Sequence, residues 1–102
     1  MLVLDSNTVL ALEEGIVLHS MPEQDWYYAF SVVSGDQFRL NKTSFWVLEN
    51  ISTGIEWSKL KETFLNTFEV PVEQGENDLR VLVDESFTKK IIRREGNGKD
   101  KV

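Results

Sequence analysis

The apolar positions change period once along the chain, near Asn41. Before it, short runs read as strands. Gly15-Ile16-Val17-Leu18-His19-Ser20 is the first, and Met21-Pro22-Glu23-Gln24-Asp25 is a turn broken by Pro22. Trp26 to Val33 is rich in aromatic and β-branched residues, as a strand should be. Ser34-Gly35-Asp36 turns the chain again, and Gln37-Phe38-Arg39-Leu40 alternates polar with apolar like a half-buried strand. Three short strands joined by tight turns predict an antiparallel meander.

After Asn41 the spacing is helical. Phe45, Trp46, Val47, Leu48 and Ile51 predict a first helix, with Asn41 or Thr43 as its cap and Ser52-Thr53-Gly54 as its end. Trp57, Leu60, Phe64, Leu65 and Phe68 fall on one face of a second helix from about Glu56 to Thr67, which Val70-Pro71 breaks. A third helix is expected over roughly Glu76 to Lys90, with Leu79, Leu82, Val83, Phe87 and Ile91 apolar and Val72 a packing contact just before it. Acids (Glu73, Glu76, Asp78) near its start and bases (Lys89, Lys90, Arg93, Arg94) near its end complement the helix dipole. The fold class that follows is α+β, a three-stranded antiparallel meander followed by three helices. Residues 1–92 read as a single domain, and 93–102 as a flexible basic tail with nothing to bury.

Length and composition narrow the function classes. At 102 residues the chain makes one domain. The absence of cysteine removes disulfides, thiolate metal sites and cysteine nucleophiles. No apolar run reaches the roughly 20 residues of a membrane helix. The first residues lack the basic start and cleavage site of a secretory signal, so a cytoplasmic location is expected. The net charge of −6 is uneven. Residues 1–36 hold six acids and no Lys or Arg, whereas residues 87–102 hold six bases against two acids. An acidic body disfavours nucleic acid and suits a cationic peptide.

Candidate chemistry is sparse. The single histidine, His19, lies on a predicted strand, where a surface or packing role is the ordinary one. Glu13-Glu14 and Asp84-Glu85 are adjacent in sequence and point different ways on a strand or helix. Gly35 and Gly54 match no phosphate loop, and Ser44 and Ser58 have no partnering His. No enzyme activity, cofactor or metal is therefore expected; a binding role is. The exposed edge of the third strand could accept a peptide strand, or Arg39 could guard it.

The stretch Phe38-Arg39-Leu40-Asn41-Lys42-Thr43 resembles the aromatic-x-Leu-Asn-x-Thr step between third strand and first helix in PqqD-like proteins. Gly54 followed by Trp57 and Leu60, then Phe68-Glu69-Val70, Asp78 to Val83 and Ile91-Ile92, resembles the rest of that family's order, over about residues 14–93. The chain departs from it at Pro22, at Ile51–Thr53 and at Gln74–Asn77.

The resemblance implies a winged helix-turn-helix module that recognises the leader of a ribosomally made precursor peptide and presents it to a modifying enzyme, often a radical-SAM protein. It implies that the leader adds as a strand beside Gln37, Phe38, Arg39 and Leu40, with Leu79, Leu82, Val83, Ser86, Phe87 and Lys90 as candidates for the helix side of the groove. The expected partners are a leader peptide and its enzyme, with no nucleic acid and no membrane, and a homodimer through the same edge as an option. The rival reading is a winged-helix adaptor or dimerising regulator that binds a folded protein or DNA.

Overall fold

A computed structural model describes residues 2–97 of the chain. Its first strand, β1 (Thr8–Leu12), precedes the meander. The meander is β2 (Ile16–Met21), β3 (Trp26–Ser31) and β4 (Gln37–Leu40), antiparallel throughout and in the order β2-β3-β4. A 3-10 turn at Pro22–Gln24 joins its first two strands. The second turn puts Gly35 at φ 85, a left-handed conformation suited to glycine, and the Gly35 N–H donates to Ser31 O at 2.8 Å.

Three helices follow. They are α1 (Lys42–Ile51), α2 (Trp57–Phe68) and α3 (Val72–Thr88). Asn41 is the cap of α1, its side chain accepting from Ser44 N at 2.7 Å. Gly54, at φ 85, closes the turn after α1 with its N–H on Ile51 O. The α+β class and the order of meander then helices are those expected from the pattern.

The ends differ from expectation in three places. First, α3 starts directly after Pro71, and Val72 is 65% exposed instead of packed. Gly75 explains the early start. It is buried where α3 meets the end of α2, and a Cβ there would come within 2.5 Å of Leu65 Cδ2 and Val70 Cγ2. Second, α3 stops at Thr88, so Arg93 and Arg94 do not cap it. Third, residues 93–97 are strand and not the loose tail expected from residue 93 on. Ile92–Asn97 form β6, antiparallel to β1, with Leu10 opposite Arg94 and Leu12 opposite Ile92. Residues 98–102 lie outside the described residues.

Strand β1 is therefore central to a second sheet, in the order β5-β1-β6, where β5 is the short Ile55–Glu56. Thr8, Leu10 and Ala11 are buried there, so a run of apolar residues is hidden on both sides of the strand.

The core collects Leu10, Ala29, Val47, Leu48, Ile51, Trp57, Leu60, Phe64, Leu79, Val83, Ile91 and Ile92. Trp46, Phe64 and Phe68 make an aromatic cluster at its rim, with ring centroids 4.8 to 6.1 Å apart, Trp46 edge-on to both phenylalanines and these tilted to each other. Trp57, 1% exposed, lies near the Arg80 and Lys61 cations, and both of these pair with Glu76.

A candidate peptide-binding groove at the β4 edge

Strand β4 pairs only with β3 among the described residues, so its other edge is open. The register decides which groups that edge offers. Ser31 N–H donates to Asp36 O at 2.9 Å, and the pairs Phe30–Gln37, Ala29–Phe38, Tyr28–Arg39 and Tyr27–Leu40 follow without a shift. Main-chain groups in an antiparallel ladder alternate between the two sides of a strand. Those of Phe38 and Leu40 thus turn to β3. The N–H and C=O of both Gln37 and Arg39 turn outward, to the open edge.

Side chains alternate the other way, between the two faces of the sheet. Phe38 and Leu40 share the inner face with buried Tyr27 and Ala29, and the Tyr27 ring lies 5.2 Å from that of Phe45 on α1. Gln37 and Arg39 lie on the outer face. There the Arg39 guanidinium covers the Trp26 ring at 4.4 Å. That contact ties the Arg39 guanidinium to the Trp26 ring on the outer face, and Arg39 also lines the smaller hollow beyond the edge.

Beyond the edge lies the C-terminal half of α3, and two hollows separate them. One, of about 190 Å³, runs from Leu40, Asn41 and Ser44 across to Leu82, Ser86 and Lys89. The other, of about 430 Å³, runs from Asp36 and Phe38 to Lys89 and Lys90, with Glu13 and Glu14 on its rim. Lys89 lines both, so they form one groove along β4. An added strand needs about 4.8 Å of lateral spacing from β4, and its alternate side chains would point into these hollows.

The expected site residues separate into groups. Gln37, Phe38, Arg39 and Leu40 form the edge itself. Leu82, Ser86 and Lys90 line the groove. Leu79 and Val83 do not; both are fully buried in the core. The reason is helical phase. Gly75, Leu79, Val83 and Ser86 form the buried stripe of α3, Leu82, Lys89 and Glu85 lie progressively further round the axis, and Ser86 and Leu82 sit at the boundary that faces the hollow. Phe87 is half-buried and packs against the core.

Asn41, Ser44, Glu85, Lys89 and Ile91 also line the smaller hollow, and the sequence reading does not single them out for the groove. The three-and-four spacing of Leu82, Glu85, Ser86 and Lys89 is the signal that could have found its helix side.

Catalytic chemistry has no assembled counterpart among the described residues. No group of three or more His, Asp or Glu is gathered to hold a metal ion. His19 is exposed on β2 opposite Tyr28. Asp84 accepts from the Leu2 N–H at 3.1 Å, which ties the N-terminal segment to α3. No helix is long and apolar enough to cross a membrane.

No protein-family model matches the chain. No curated protein matches it either. Among solved structures the chain is similar to TbiB1 in complex with the TbiA(beta) leader peptide, with a TM-score of 0.69. The likeness covers 87% of this chain and 99% of that one at 16% identity. At that identity it is a likeness of fold.

Proposed function

We propose that the protein is a non-catalytic recognition module for the leader of a ribosomally synthesised precursor peptide. The leader adds as a fourth strand to the β4 edge and lies in the groove against α3. The observation that carries this reading is the open edge itself. Gln37 and Arg39 present main-chain donors and acceptors that are unpaired among the described residues, beside a groove, and the Arg39 guanidinium, the one charge on the strand, stacks on the Trp26 ring. Further support comes from the fold, which is similar to that of a protein solved with a leader peptide bound.

Strand addition gives affinity through main-chain hydrogen bonds and selectivity through pockets for alternate side chains. By the PqqD-like resemblance, the module presents the bound peptide to a modifying enzyme, of which a radical-SAM protein is the family's frequent case. Its contribution is then a raised local concentration of substrate. Groove contacts are assigned to the main chain of Gln37 and Arg39, to Phe38 and Leu40, and to Leu82, Ser86 and Lys90.

The test is a titration of nitrogen-15-labelled protein with synthetic peptides from short reading frames beside its gene. Shifts confined to residues 37–40 and the second half of α3 are expected. A folded spectrum that no such peptide perturbs would favour a folded-protein partner or a dimer contact at this edge.

A further inference from the structure

Resting on that reading, we infer that the groove holds a subsite for a carboxylate side chain, Asp or Glu, of the added peptide strand. It lies in the smaller hollow, where β4 ends and α1 begins. Three features converge there.

The first is Ser86. It is 7% exposed and lines the hollow, yet its hydroxyl makes no hydrogen bond among the described residues. Leaving a buried hydroxyl without a partner is costly. The hollow is the side from which a partner can arrive.

The second is the start of α1. Asn41 and Ser44 line the same hollow. Asn41 caps only the Ser44 N–H, and the first turn, Lys42-Thr43-Ser44, contains no acid. Helix starts carry partial positive charge and ordinarily attract an Asp or Glu of their own. Here a cation, Lys42, stands in that place.

The third is the balance of donors. The Ser86 and Ser44 hydroxyls and the Lys89 ammonium can all donate into the hollow, and an ionised carboxylate is an acceptor only. Glu85 also lines it and opposes an anion. Its side chain is exposed, so water and salt screen that repulsion. Ser86 is not screened in this way. The added strand would therefore carry an acid at the end that pairs with Arg39.

The experiment uses the labelled full chain and capped peptides of about ten residues, alternating Val and Thr. One inward-facing Val is replaced in turn by Asp, Asn or Lys. The expected result is that all three perturb the Gln37 and Arg39 amides, and that the Asp peptide binds about tenfold more tightly than the Asn peptide. Ser86→Ala and Lys89→Glu should pull that ratio towards one, and Glu85→Gln should raise it. Equal affinities with the Gln37 and Arg39 shifts retained would overturn the subsite and leave strand addition standing. Tighter binding of the Lys peptide would also overturn it, with Glu85 as the selecting group. No shift with any peptide would sink strand addition and the subsite together.

Discussion

The main-chain N–H of Ile91 donates to the carbonyl of Ser86 at 2.9 Å, closing the end of α3. Lys90 N–H donates to Phe87 O at 3.0 Å one step inside it. These two bonds form a Schellman motif, which requires a left-handed residue after the cap. That residue is Lys90, at φ 63. The motif turns Ile91 into the core and aims the chain at β6, so the end of the groove and the start of the last strand depend on one strained lysine.

Replacing that lysine with glycine should relieve the strain. A non-glycine residue in this conformation costs roughly 1–2 kcal/mol, part of which is returned as extra freedom of the unfolded chain. Lys90→Gly is expected to stabilise the fold by about 0.5–1 kcal/mol, a rise of a few degrees in a thermal melt. A lower melting temperature would show that the Lys90 side chain contributes more than its backbone costs.

Gly75 should behave in the opposite sense. Alanine gains about 1 kcal/mol of helix propensity over glycine. Its methyl would meet Val70 and Leu65 at 2.5 Å, and overpacking of this kind costs about 1–3 kcal/mol. Gly75→Ala is expected to lower stability in urea unfolding. A stabilised variant would mean that α2 and α3 can separate slightly at no cost.

Leu79 and Leu82 are three residues apart on α3 and should respond differently. Leu79 is fully buried, so Leu79→Ala should cost about 2–5 kcal/mol. Leu82 is half-buried on the groove wall. Leu82→Ala should cost less stability and weaken peptide binding more than Glu95→Ala does. Peptide affinities alike in the Leu82 and Glu95 variants would remove Leu82 from the site.

The outward N–H of Arg39 can be deleted directly. Proline is tolerated on edge strands where no ladder bond is lost. Arg39→Pro should leave a folded spectrum and abolish peptide binding, whereas Phe38→Pro, which breaks a bond to β3, should unfold the meander. Full peptide binding by Arg39→Pro would refute strand addition.

Much of this was legible in the residues. The alternation in Gln37–Leu40, the aromatic run from Trp26 and the three-and-four spacing after Asn41 report local periodicities, and a sequence displays those directly. Strand β1 is not legible in the sequence because Thr8–Leu12 has buried residues on both faces and lacks clean alternation. Strand β6 is hidden from the sequence for a different reason. Ile92-Arg93-Arg94-Glu95 is charged, and only its partner makes it a strand. Arg93 satisfies the Leu12 carbonyl at 3.0 Å and approaches Glu95 at 3.6 Å.

The candidate site divides along the same line. The order of meander and helices and a cap at Asn41 or Thr43 come from local pattern and residue type, which the sequence determined by itself; the structure chose Asn41. Tertiary structure decided that Leu79 and Val83 are core, that the Arg39 guanidinium meets the Trp26 ring, and that Ser86 lines a hollow shared with the start of α1. Those facts depend on which face of α3 meets α2 and on which residues distant in the chain become neighbours. A helix stripe has a phase only once its packing partner is in place.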